Sequence, residues 1–275
     1  MSDYQVEDNK LVGPSVTFES SPNTGGRFAA GQADTLVIHF TAGSSVESAV
    51  RTLCDPDNSV SAHLVIGRDG AIVQLVPFDM VAWHAGKSSW QGRSGLNRFS
   101  IGIELDNAGE LTPNGQGQFL SWFNRAYSGE DVFCGVHRNQ KTETYWHAYT
   151  EEQIKATFAV CQSLCNAYGI DTIVGHEEIS PKRKVDPGPA FPLDKLRAML
   201  DKERADDGQD DSVFEATSKL VNASRLNVRE GPGAQFDKVT EPLSLGTNVK
   251  VLQQKQGWSQ VEFTLKGWVS SKYLT

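Results

Sequence analysis

"TLVIHF", Thr35 to Phe40, decides the fold. An apolar run of this length, bounded by polar residues and rich in β-branched and aromatic side chains, reads as a strand covered on both faces. A helix follows. Ser44 and Glu47 have the spacing of a capping box, and Val46, Ala49, Val50 and Leu53 fall on one helical face. The one imidazole in the run, His39, sits near the strand's end, where open α/β sheets bind their ligands.

Working outward, "HLVIGRDGAIVQLV", His63 to Val76, reads as a hairpin, because Asp69-Gly70 is a favoured tight-turn pair between two β-rich runs. "SIGIEL", Ser100 to Leu105, alternates as a strand, with Glu104 near its end. A long helix is expected from Thr150, with Gln153 completing a capping box, to Gly169; Ile154, Phe158, Cys161, Cys165 and Tyr168 form its apolar stripe. "DTIV" returns as a strand just before His176, and a last helix is expected around Leu193 to Leu200. Between Ala108 and Tyr149 glycine, asparagine and proline break every period, which reads as a long irregular excursion.

The acidic run "DKERADDGQDDS", Asp201 to Ser212, reads as a solvated linker, and only strand-and-turn grammar follows it. The expected fold is therefore α/β, a mixed central sheet flanked by helices, followed by a small all-β barrel. The expected domains are residues 1–200, a linker at 201–212 and a second domain at 213–275.

A chain of 275 residues with 39% hydrophobic and 22% charged content is globular in composition. Its formal charge of -8 argues against nucleic acid or an anionic membrane as a partner. No apolar run reaches the length of a membrane span, and "MSDYQVEDNKLVGPS" lacks the pattern of a secretory signal, so a cytoplasmic location is expected. A mature form cut from a longer precursor would read the same way and would belong to the cell envelope. Cys54, Cys134, Cys161 and Cys165 are too few for a disulfide scaffold, and the last two, one turn apart, read as small core residues.

Chemistry concentrates in "GHEEISPKRKVDPGPAFP", Gly175 to Pro192. His39, Glu104 and His176 all stand at strand ends, so they converge if those strands are neighbours. Two neutral imidazoles and one carboxylate suit a catalytic zinc with an open fourth position. Asp186 is the candidate third ligand, in a loop stiffened by Pro187 and Pro189. Water on such an ion ionises at a pH of about 7. Glu104 is then placed to carry a proton from water to a leaving amine, and Lys184 to stabilise an oxyanion. Residues alone take the reading as far as a zinc-dependent amide hydrolase.

The ordered blocks "VIHFTAG", "SAHLVIGRDG", "AWHAGKSSW", "SIGIEL" and "GHEEISPKRKVDPGPAFP" resemble the type 2 N-acetylmuramoyl-L-alanine amidases, the family that includes the peptidoglycan recognition proteins, over about Thr35 to Leu200. The resemblance implies one zinc per chain on His39, His176 and Asp186, with Glu104 and Lys184 as catalytic partners. It implies hydrolysis of the amide between N-acetylmuramic acid and L-alanine in peptidoglycan or muropeptides. Some phage relatives have a cysteine as third ligand and a tyrosine before the hairpin histidine; Asp186 and Ala62 stand here instead. Trp83 and His84 are candidates to line the substrate groove, a packed aromatic corner being the alternative, and Asn97 is a candidate for the stem peptide. His63 reads as a hairpin core residue, and His137 and His147 have no spacing partner for a second zinc. The tail, with "LNVREGPG", "GTNVKVL", "GWSQV" and "GWVSSKYL", resembles a bacterial SH3-like domain, a module that commonly holds peptidoglycan; a structural role is the alternative. Non-catalytic peptidoglycan recognition and a zinc peptidase of other specificity compete with the amidase reading.

Overall fold

The computed structural model describes residues 3–207, 217–221, 225–231, 236–244, 246–255 and 258–263. The chain divides into two compact units, Met1–Leu193 and Asp194–Thr275.

The first unit is built on a six-stranded mixed sheet whose order is Thr172–Gly175, Thr35–Phe40, Ser100–Leu105, Leu64–Ile66, Ile72–Gln74 and Val16–Phe18. The first four run parallel, and the Leu64–Ile66 and Ile72–Gln74 strands form the antiparallel hairpin expected around Gly70. Leu36, Val37, Ile38, Ile101, Ile103 and Val174 are fully buried, as strands covered on both faces require. In the parallel register Glu104 lies beside His39 and Gly175 beside Ile38, so Glu104, His39 and His176 reach the same sheet edge.

Helix α1 (Val46–Cys54) packs Ala49, Val50 and Leu53 against Ala62, Val65 and Leu75. Its cap is Ser45, whose hydroxyl accepts from Ser48 N, one residue later than the Ser44 pattern suggests. Helix α2 (Glu151–Tyr168) begins and ends as expected: Thr150 Oγ1 accepts from Gln153 N, and Gly169 closes it at a φ of 66°. The Gln153 side chain does not turn back to the cap. It is buried and donates to Ile66 O (2.9 Å) and Asp106 O (3.1 Å), tying α2 to the sheet. Helix α3 (His176–Ile179) is a single turn directly after the Thr172–Gly175 strand.

The excursion from Ala108 to Tyr149 is not irregular. It carries a second, antiparallel sheet in the order Ala126–Tyr127, Phe119–Leu120, Glu110–Pro113, Glu143–His147 and Val132–Val136. Ala108, Leu111 and Tyr127 are its core, covered by Phe119, Phe123, Val132 and Tyr145.

Helix α4 (Leu193–Asp207) runs on through the first half of the segment read as a linker; residues 208–212 lie outside the described residues. In the second unit Thr217–Leu220, Asn248–Lys255 and Trp258–Glu262 form an antiparallel sheet, with Val221, Leu243 and Val249 buried among Val228, Val261 and Phe263. "GWVSSKYL" lies outside the described residues. All four cysteines are free, with Cys161 and Cys165 buried. Among the described residues no helix is long and apolar enough to cross a membrane.

Candidate active site

Three side chains meet at the sheet edge. His39 Nδ1 lies 2.8 Å from His176 Nδ1 and 3.0 Å from Asp186 Oδ2, and His176 Nδ1 lies 2.9 Å from the same oxygen. All three residues are buried. The opposite ring nitrogens have partners of their own. His176 Nε2 lies 3.2 Å from the carbonyl of Ala85, which only accepts, and 3.3 Å from Arg183 Nη2, which only donates. His39 Nε2 faces His84 Nδ1 at 2.9 Å, while His84 Nε2 faces Ser100 O at 3.4 Å. The hydrogen of His84 therefore sits on Nε2, its Nδ1 accepts from His39, and His39 Nδ1 is left with a lone pair. The two Nδ1 atoms and the carboxylate oxygen thus lie within 3.0 Å of one another, three ligand atoms gathered at one point as a bound cation would require. Two neutral imidazoles and a carboxylate are the donor chemistry of Zn²⁺, so the residues fit the ion.

The electrostatics agree with that donor set. Burial, reinforced by His176, lowers the His39 pKa to about 4, so its imidazole is neutral near pH 7. Burial pushes Asp186 up, but the adjoining His176 and His39 imidazoles outweigh it and hold the carboxyl well below the usual range. Glu104 is raised to about 8 by burial and by the charge of Asp186, with Lys184 pulling the other way. Its Oε2 is buried without a partner, an acceptor held beside the three donors. Lys184 acts electrostatically on both His39 and Glu104.

The Asp186 loop is braced from several sides. Glu177 N donates to Asp186 O (2.8 Å), and the Glu177 carboxylate takes His137 Nε2, Arg138 Nε (2.6 Å) and Gly188 N (3.2 Å). Tyr149 Oη donates to Pro187 O at 2.8 Å. Gly188 has a φ of 73° and lies against Trp146, where a Cβ would be 2.9 Å from the indole; this explains a tryptophan that the sequence left without a role. Arg183 ties the opposite loop down through Ala85 O and Lys87 O, both at 3.1 Å.

The residues read as lining the groove have other surroundings. His84 stands behind His39, its ring filling the space above Gly102, where a Cβ would overlap it. Asn97 Oδ1 accepts from His84 N (3.1 Å) and Ala85 N (2.6 Å), fixing that loop. The Trp83 indole lies beside Gly25. His63 is a core residue, bonded to Met80 O and Gly102 N and lowered to about 4 by burial. His137, Glu177, Tyr149 and Arg183 were missed as supports of the site. Glu177 and Arg183 have one sequence signal, the density of charge after Gly175; His137 and Tyr149 have none.

The family model described as N-acetylmuramoyl-L-alanine amidase matches residues 29–189, more than half of the chain, and that span contains every residue of the site. The chain belongs to this family. A bacterial SH3 domain model matches residues 224–275. The chain is similar to the 1,6-anhydro-N-acetylmuramyl-L-alanine amidase AmpD of Enterobacter cloacae, 39% identical over 52% of this chain and 58% of the relative. It is also similar to the N-acetylmuramoyl-L-alanine amidase AmiD of Escherichia coli strain K12, 35% identical over 58% of this chain and 51% of the relative. The chain thus spans somewhat over half the length of these curated relatives. A crystal structure of a selenomethionine derivative of AmpD superposes with a TM-score of 0.50 at 31% identity, covering 71% of this chain and 98% of that one.

Proposed function

We propose that this protein is a zinc-dependent amidase that hydrolyses the bond between the lactyl group of N-acetylmuramic acid and L-alanine of the stem peptide. The observation that carries the reading is the mutual facing of His39 Nδ1, His176 Nδ1 and Asp186 Oδ2 beside the unpartnered Oε2 of Glu104. Zinc, when bound by these three, supplies Lewis acidity for the scissile carbonyl and for water. Glu104 accepts a proton from the attacking water as the C–O bond forms, and returns it to the alanine nitrogen as the C–N bond breaks. A carboxyl pushed upward by burial is suited to holding that proton between the two steps. Lys184 is assigned to stabilise the carbonyl oxygen as it gains charge, a role its electrostatic action on His39 and Glu104 supports. The names of the AmpD relatives make 1,6-anhydro-muramoyl peptides the first substrate to try. In the same reading residues 1–200 form the catalytic domain and residues 213–275 a wall-binding module.

The test is digestion of an anhydromuramoyl-tripeptide by chelated and zinc-restored protein, with products weighed by mass spectrometry. Zinc-dependent release of a tripeptide with an L-alanine amino terminus is expected, with Glu104→Ala slower by a factor of about 10² to 10⁴. Full activity in that variant removes Glu104 from the reaction.

A further inference from the structure

On the tip of the second sheet, between the Phe119–Leu120 and Ala126–Tyr127 strands, Trp122 is 73% exposed. It is nevertheless held in place. Its indole Nε1 donates to Ala42 O at 2.6 Å, its ring stands at 90° to Phe123 with centroids 5.5 Å apart, and Arg125 Nη1 donates to Ser44 O at 2.8 Å. The turn beneath it is closed by Ser121 N to Arg125 O and Asn124 N to Ser121 O, both at 2.9 Å. A side chain this large, fixed at its polar edge, presents one bare aromatic face to solvent.

The backbone that anchors the ring lies close to the site. Ala42 follows His39 by three residues, so their Cα atoms are at most roughly 11 Å apart. Since the indole N–H is already bonded, the ring offers only its π-face, which suits the axial C–H face of a pyranose. Its isolation points the same way. The other exposed apolar residues of this sheet, Phe133 and Val136, lie on the Val132–Val136 strand at the opposite edge. Trp122 is flanked instead by the half-buried Phe123, on which it stands edge-on, and by the polar residues Ser121, Asn124 and Arg125. One exposed ring beside a half-buried second one falls far short of the roughly 800 Å² per partner of a stable protein interface, but matches a single sugar ring.

We propose that Trp122 is a saccharide-stacking residue that holds an N-acetylhexosamine unit of the substrate beside the metal-binding edge. The inference rests on the muramoyl-amidase reading. It is tested on the full chain with tri-N-acetylchitotriose, a β-1,4-linked trisaccharide with no peptide bond to cut. The Trp122 indole N–H resonance is assigned by its loss in Trp122→Phe and followed on titration. A saturable shift of that resonance is expected in the wild type, and affinity measured for all three proteins by isothermal titration calorimetry is expected to be at least 10-fold weaker in Trp122→Ala and nearly unchanged in Trp122→Phe, which keeps an aromatic face. An unmoved resonance, or equal affinity in all three proteins, overturns the proposal. So does a change of oligomeric state in Trp122→Ala without loss of sugar binding, which assigns the face to a second copy. Wild-type hydrolysis of the anhydromuramoyl-tripeptide is measured alongside: if it fails while the trisaccharide still binds through Trp122, the amidase reading falls and the stacking site stands.

Discussion

His84 illustrates how a residue outside the donor set shapes it. Its Nδ1 takes the hydrogen of His39 Nε2, which leaves the other imidazole nitrogen free to face Asp186, and the space its ring occupies exists because residue 102 is glycine. Removal of such an outer partner typically costs about 10- to 100-fold in metal affinity. His84→Ala and Gly102→Ala are both expected to weaken zinc retention by that factor in competition with a chelator. His84→Asn, which keeps an acceptor near Nδ1, should retain zinc within a few-fold. Glu104 supplies a second prediction at this scale, for the metal-free protein. Its folded pKa of about 8 lies above the ordinary 4.5, so the unfolded chain releases its proton first, and stability falls as pH rises from about 4.5 to about 8. Glu104→Gln cannot ionise. Its melting temperature should match that of the wild type near pH 4.5 and exceed it increasingly toward pH 8. That His39, His176 and Asp186 could meet was legible because two histidines stand at strand ends and an aspartate follows the second in a proline-stiffened loop. The direction of the His39–His84 hydrogen bond was not legible, since it depends on which ring nitrogens meet.

Among the elements, the three strands that carry the site were readable because they are short runs dominated by buried β-branched and other apolar side chains, one of them alternating. The second sheet was not. Its strands run two to five residues, with exposed positions scattered along most of them, so neither a period of two nor an apolar run survives. What that sheet contributes is a latch: His137 and Arg138, beside its last long hairpin, grip Glu177, and Glu177 grips the Asp186 loop. Both His137 and Glu177 are buried. His137→Ala strips a buried carboxylate oxygen of one donor and should destabilise the protein by about 1–3 kcal/mol, read as a lower urea midpoint. Thr150 has a double task of the same kind, accepting from Gln153 N and donating to Arg68 O. Thr150→Ala should cost about 1 kcal/mol for the cap alone, and Thr150→Ser, which keeps the hydroxyl, much less.

In the whole molecule the donor set, the proton carrier and the latch all lie between residues 39 and 188, inside the first compact unit, while the SH3 match begins at residue 224. The acidic run between them marks the change of grammar, but its opening residues include Lys202, Glu203, Arg204 and Ala205, all good helix formers, and α4 continues through them to Asp207. A chain ending after Asp207 therefore keeps α4 whole, with Leu193, Leu196 and Leu200 buried in the intact protein. If the second unit serves to hold polymer, its removal changes the local concentration of substrate and leaves the chemistry alone. The shortened chain is then expected to retain zinc and to cleave a soluble anhydromuramoyl-tripeptide with kcat/KM within about twofold of the full chain. Its sedimentation with insoluble peptidoglycan, and its rate on that polymer, should fall by at least about 10-fold. Equal losses on both substrates would mean that the second unit supports the catalytic fold itself. An unchanged rate on the polymer would leave the module with no part in substrate capture, and the reach toward sugar would rest on the first unit, where Trp122 stands.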